Sequence, residues 1–202
     1  VRHRHRWKAR LAGAMRWLHV YLSMIGLAVL LFFSVTGITL NHPDWFYGGA
    51  ARSAEAAGEL DPSWVRPGPA EGVDRLRVVE HLRQARGARG AMSDFTIDES
   101  ECVVAFKGPG YAADAFIDRA TGAYRFSETA HGLVAILNDL HKGRDTGPVW
   151  SAFIDASAVL ATLMSLTGLG LLLFLKRRRV PGLVAALVGT AIVALLAALF
   201  VP

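Results

Sequence analysis

The sequence predicts a membrane protein of three transmembrane α-helices, with a small α+β module between the first and the second. Three observations predict it. The chain is 52% hydrophobic with a mean hydropathy of +0.33 over 202 residues, too apolar for an ordinary soluble domain of that size. Its apolar residues gather in three runs, 17–42, 149–175 and 183–201. Between the first two runs the pattern changes to short β-like segments separated by turn residues.

Residues 17–40 contain no Asp, Glu, Lys or Arg. As a helix rising about 1.5 Å per residue they cover roughly 36 Å, against a hydrocarbon core of about 30 Å. Their Leu, Ile, Val and Phe side chains favour insertion by about 4–8 kcal/mol at most, which tolerates a neutral histidine near either end. His19 stands just inside the first boundary and His42 just past the second. Run 149–175 carries one charge, Asp155, and run 183–201 carries none and is close to the shortest length that spans. The first run far exceeds the apolar core of a cleaved signal peptide, about 7–15 residues, so it is expected to stay as an anchor.

The net charge of +5 resembles a nucleic-acid signal until it is mapped. Ten of the 22 basic residues lie in two segments without an acid, 1–16 and 176–179, while the 43–148 loop holds twelve against 16 acids. That asymmetry is the positive-inside pattern. It predicts a basic cytoplasmic tail (1–16), a first span (17–42), an external loop (43–148), a second span (149–175), a cytoplasmic link (176–182) and a third span (183–201). The C-terminus is then external. No nucleic-acid partner is expected; the tail faces anionic membrane lipid. Cys102 is the only cysteine, which excludes an internal disulfide and a thiolate metal cluster.

Within the loop, Pro43 stops the first helix by disfavouring the α region for His42, and Trp45, Phe46 and Tyr47 suit an interfacial aromatic belt. Residues 50–69, rich in Ala, Gly and Pro, read as a linker. Val73, Leu76, Val79 and Leu82 have helical spacing, so a helix is predicted over 71–86, ended by Gly87 and Gly90. Strands are predicted at 95–98, 102–106, 111–117 and 123–126, with turns at 99–100, 108–110 and 121–122. The module so defined covers about 70–126. An amphipathic helix over about 128–141 follows, capped by Ser127 or Thr129 and carrying His131 and His141. Small residues four apart (Ser157, Ala161, Ser165; Gly182, Ala186, Thr190, Ala194, Ala198) read as packing seams in the later spans. His81, beside arginines, reads as surface, and His3 and His5 as solvated.

The order of these parts carries a resemblance. A helix opening RWLHVYLSMIGL, an external α+β module and a DLHKG segment leading into another span resemble the PepSY-associated transmembrane family. FIDRATGAYR (116–125) resembles the strand–Asp-x-x-Thr-Gly–strand ending of PepSY modules. Larger members include inner-membrane ferric-siderophore reductases that bind b-type haem through helix histidines. The resemblance therefore implies a bacterial inner-membrane protein that binds haem b. It would carry electrons to ferric chelates in the periplasm, as a reductase or a subunit of one. His19 and His141 match the family's histidine positions. The chain departs from those reductases in having three spans, one external module and no histidine in either later span.

Neutral imidazole is a standard axial ligand of haem iron. Near the outer face, His42 with His141 is the favoured pair, His131 is the reserve ligand or a propionate partner, and Asp155 is a second-layer orienter of an imidazole. Near the inner face His19 has no obvious partner: matching depth in the second span falls near 171–173, all leucine, so a second haem there would need His3 or His5 folded back, or His19 from a second copy of the chain; a single outer haem favours a dimer or a partner subunit. Each of these residues also has a plainer reading, as an interfacial polar group or a histidine with one hydrogen-bond partner. No GxGxxG fingerprint is present, so the electron donor is separate. A second class of function stays open, in which the module binds a peptide or protein and the helices only anchor it. Neither HExxH nor GxSxG occurs, which argues against a hydrolase.

Overall fold

The computed structural model describes residues 2–45, 51–66 and 72–201, with the side chains of residues 2–6 and of Asp44 left aside. Phe46 and Tyr47, and the side chains of His3 and His5, lie outside the described residues. Three helices are long and apolar enough to cross a membrane: the 7–41 part of α1 (Arg2–Asn41), α4 (Gly147–Phe174) and α5 (Arg179–Phe200). The chain divides into two compact units, residues 1–31 with 155–202, and residues 32–154.

In the first unit, α1 starts at Arg2 rather than after a tail. Arg, Lys, Ala and Leu are good helix formers, and a helix nucleated in the span propagates back through them. The 2–31 part of α1 and the 155–174 part of α4 run antiparallel, with glycines at close approaches. A Cβ on Gly26 would stand 3.4 Å from Leu160 and collide with Met164, and one on Gly170 would collide with Met15. Gly182 of α5 is similarly close to Leu172. The expected stripe of α4 is thus only partly a seam. Ser157 is buried, but Ala161 and Ser165 are exposed, and Leu160, Met164 and Thr167 face the contact instead. In α5 the residues of the expected stripe beyond Gly182 are exposed.

The second unit is built on a five-stranded antiparallel sheet of order β1-β5-β4-β3-β2. Its strands are β1 (Arg52–Glu59), β2 (Ala91–Ile97), β3 (Glu101–Gly108), β4 (Tyr111–Asp118) and β5 (Ala123–Ala130). Strand β1 corrects the linker reading. Its sequence, RSAEAAGE, has no β-branched or aromatic residue, but it pairs along the whole of β5 from Arg52↔Ala130 to Glu59↔Ala123. Backbone pairing at an edge asks little of side chains, and at Gly58 there is no room for one: a Cβ there would stand 2.6 Å from the Tyr124 hydroxyl. Strand β5 also runs past the predicted end, so Ser127 and Thr129 are strand residues. Helix α3 (Leu133–Lys142) begins after Gly132 without a side-chain cap.

Helix α2 (Arg75–Arg86) covers one sheet face. Asp74 accepts from the Arg77 amide at its start, and Gly87 at φ +68° closes it. Val78 and Leu82 meet Cys102, Val104 and Phe106 of β3, Ala115 and Ile117 of β4, and Tyr124 and Phe126 of β5, all buried. Each large apolar side chain so placed contributes about 1.5–3 kcal/mol. Burial also pushes the Cys102 thiol up, away from the reactive thiolate. His81 is not a free surface residue: its ring packs edge-on against Trp64 and Tyr124, each centroid 5.8 Å away.

The Asp-x-x-Thr-Gly turn between β4 and β5 explains its own residues. Asp118 accepts from the Thr121 hydroxyl and amide and the Ala120 amide, 2.8–3.0 Å, and these bonds hold its carboxyl below the usual range. Gly122 has φ +77°, and a Cβ there would meet the Leu60 carbonyl oxygen. Between them Arg119 is 1% exposed and donates to the carbonyls of Val65, Arg66, Asp98 and Glu99. One guanidinium ties the 60–66 segment to the β2–β3 turn.

Candidate functional site

Each unit holds one histidine against a threonine. In the first, His19 of α1 reaches α4, with Nδ1 3.0 Å from the Thr167 hydroxyl. That hydroxyl also donates to the Leu163 carbonyl at 2.7 Å. The ring lies against Gly168, where a Cβ would come within 3.1 Å of Cε1. Beside it is a cleft of about 510 Å³ lined by His19, Met164, Ser165, Gly168, Leu169, Leu172 and Ala186. The level facing His19 is therefore Thr167–Gly168, about one turn from the 171–173 level counted from the sequence. Register follows the glycines that let the helices close, not equal counting from two boundaries.

In the second unit, His141 of α3 reaches the end of α1, with Nδ1 2.7 Å from the Thr36 hydroxyl. Thr36 donates to the Phe32 carbonyl at 2.6 Å. The imidazole lies beside Gly37, where a Cβ would be 3.6 Å from Cε1, and edge-on to Phe33 at 5.2 Å. Helix α3 is held on both sides of this contact. Thr39 lies 2.8 Å from the Asn138 amide oxygen. Asp139 accepts from the Gly110 amide at 2.8 Å in the β3–β4 turn. Trp150 donates its indole N–H to the Leu140 carbonyl at 2.8 Å, a contact beyond the interfacial anchoring that its position implies.

The other residues singled out from the sequence are placed differently. His42 is stacked flat on Trp45, rings 3.7 Å apart and 7° from parallel, with Nε2 3.2 Å from the Asn41 amide nitrogen. His131 is exposed, and its backbone N–H donates to the Gly110 carbonyl at 2.8 Å. Asp155 is exposed, and both anchored imidazoles have threonines where a carboxylate orienter was expected. Among the described residues no group of three or more His, Cys, Asp or Glu is placed to hold a metal ion.

The threonines were legible and were missed. Ser34-Val35-Thr36-Gly37 and Ser165-Leu166-Thr167-Gly168 are one pattern, S-x-T-G, written twice in apolar helices, and each histidine follows a leucine (Leu18-His19, Leu140-His141). The histidine of the first LH segment docks on the second S-x-T-G, and the histidine of the second docks on the first. A search for internal repeats would have found this.

The sheet offers a second surface. Helix α2 covers one face, and on the other two clefts of about 620 and 440 Å³ flank Phe116 and Arg125. No curated protein and no solved structure matches the chain. A family model described as PepSY_TM-like matches residues 13–202, a span that includes both histidine–threonine pairs, and the protein belongs to that family.

Proposed function

We propose that the protein is an inner-membrane, b-type haem-binding electron-transfer protein that supports reduction of ferric chelates on the periplasmic side, with His19 and His141 as the residues that would hold the haem. One observation carries the reading: two histidines attached to apolar helices each have Nδ1 beside a threonine hydroxyl, which leaves Nε2 for a ligand. Metal-bound histidines characteristically donate their other ring N–H to an orienting group. The donor set fits haem, since imidazole in apolar surroundings is what a b-type site offers. The pair His42–His141 is less favoured, because His42 is engaged with Trp45 and Asn41.

In this reading the chain's own residues do three things. The imidazoles bind, the threonines orient them, and the apolar side chains around them exclude water. Haem, when bound, supplies one-electron iron chemistry. His19 and His141 would each hold a haem by one imidazole, a further ligand would have to come from another copy or a partner subunit, and electrons would come from a separate donor. The sequence charge pattern supports a cytoplasmic N-terminus and a periplasmic C-terminus.

A reduced-minus-oxidised spectrum of the detergent-extracted protein tests this. Soret and α bands are expected, and H19A and H141A should each remove part of the haem. A colourless protein that gains no Soret band on haem addition overturns the proposal. The open sheet face with Phe116 and Arg125 favours a second reading, a module that binds a peptide or protein segment; unchanged peptide binding by a haem-free protein would support it.

A further inference from the structure

We infer that Thr36 and Thr167 are positioning residues that fix the tautomer of His141 and His19, so that the proton sits on Nδ1 and the lone pair on Nε2. The argument is one of proton counting. A threonine hydroxyl has a single hydrogen. Each of these hydroxyls lies between a ring nitrogen and a backbone carbonyl oxygen: Thr36 is 2.7 Å from His141 Nδ1 and 2.6 Å from the Phe32 carbonyl, and Thr167 is 3.0 Å from His19 Nδ1 and 2.7 Å from the Leu163 carbonyl. A carbonyl oxygen can only accept, so an O···O contact of 2.6 or 2.7 Å is attractive only with the hydroxyl proton in it, and the one arrangement that satisfies both contacts sends that proton to the carbonyl. The hydroxyl oxygen then has only lone pairs to offer the imidazole, and a close N···O contact is attractive only if Nδ1 carries a hydrogen. The opposite tautomer would set two lone pairs against each other.

Back-bonding by threonine or serine is common in helices, and Thr162 and Thr190 do it here while exposed. What distinguishes Thr36 and Thr167 is burial, at 2% and 5% exposure, together with an imidazole from another helix against the hydroxyl. Neither imidazole has a carboxylate as its Nδ1 partner, so the proton is shared with a neutral acceptor. The ring then keeps the donor strength of neutral imidazole and does not take on imidazolate character. The tautomer rests on the geometry alone; its consequence for a bound iron rests on the haem reading above.

The test uses the haem-free full-length protein with 15N-labelled histidine, in detergent or nanodiscs, at a pH where the rings are neutral. The two signals are assigned by their loss in H19Q and H141Q. Both residues are expected to show a protonated Nδ1 and an unprotonated Nε2. T36V and T167V should each convert the corresponding histidine to a mixture or to the other tautomer, and T36S and T167S should keep the original. A wild-type ring protonated on Nε2 overturns the inference, and so does a valine variant that leaves the tautomer unchanged. If a valine variant does not fold, the wild-type and serine spectra still decide it. With haem bound, T36V should move the midpoint potential upward while T36S leaves it in place, as expected when a hydrogen bond from the ligand's Nδ1–H is lost. Absence of haem binding would remove the proposed function but leave the tautomer measurement intact.

Discussion

Between Leu60 and Phe126 the buried side chains include Val78, Leu82, Val104, Phe106 and Ile117, whereas in the three long apolar helices α1, α4 and α5 the buried side chains among the described residues are Thr36, Thr39, Ser157 and Thr167, with Leu30, Ile38, Leu163 and Leu187 turned outward. The sheet module is ordered the way a protein in water is, by removing apolar surface from solvent. The helices are ordered the other way round. Lipid gives a polar group no partner, so hydroxyls and imidazoles find each other, and small residues let the backbones close. Histidine–threonine pairs are what that second rule produces.

The contrast is easiest to break at Arg119, the one fully buried charge of the sheet module among the described residues. Arg119→Leu leaves the carbonyls of Val65, Arg66, Asp98 and Glu99 without their donor. A loss of about 3 kcal/mol or more is expected, large for a module whose size makes it only marginally stable. Hydrogen exchange should show β2, β4 and the 60–66 segment losing protection, while the 15N signal of His19 stays unchanged. Loss of the His19 signal would mean that the two kinds of order are not separable.

The two histidine seams can be sharpened against each other by adding one methyl to each. At Gly168 the new Cβ would press on the imidazole at 3.1 Å, and at Gly37 it would sit at an ordinary 3.6 Å. Gly37→Ala should therefore be neutral or stabilising by up to about 1 kcal/mol through helix propensity. Gly168→Ala should lose that gain and shift the His19 ring. Thermal unfolding of both variants in one detergent gives the comparison, and equal behaviour would show that the two seams are alike in tightness.

The smallest effect belongs to the turn at Asp118. Hydrogen bonds from Thr121 and Ala120 hold its carboxyl below the usual 3.8. A carboxyl lowered on folding contributes stability above its unfolded pKa and loses it as pH falls through the folded value. Sheet-module stability should thus decline below about pH 4, and D118N should flatten that limb without affecting the helices. A titration with the same slope in both proteins would remove Asp118 from the account.

Some of this was legible in the residues. The three apolar runs are set by length and composition, which is why their existence could be read even though α1 begins earlier than expected. Strands β3 and β4 follow from alternation, and Gly87 and Gly122 from the need for positive φ. Strand β1 was not legible, because Ala, Glu and Gly in an edge strand carry no β signal; β5 supplies the pairing. His81 looked exposed because its sequence neighbours are charged, and only the fold brings Trp64 and Tyr124 around it. Of the histidines, position at a helix boundary singles out His19, His42, His131 and His141 alike, and it is the family resemblance that pairs His19 with His141. The partners of His19 and His141 are the threonines of a repeated Ser-x-Thr-Gly and not a carboxylate such as Asp155, because a hydroxyl that bonds its own helix can be buried where a charge cannot.

By itself the sequence determined that this chain has segments that prefer lipid and a segment that prefers water, because transfer free energy adds up locally along the chain. It also determined that two histidines sit where apolar helices begin or are about to begin. Only the tertiary structure decided which residue meets which imidazole. That choice depends on where two helices approach closely enough for a 2.7 or 3.0 Å contact, and the helices that meet there are far apart in the chain.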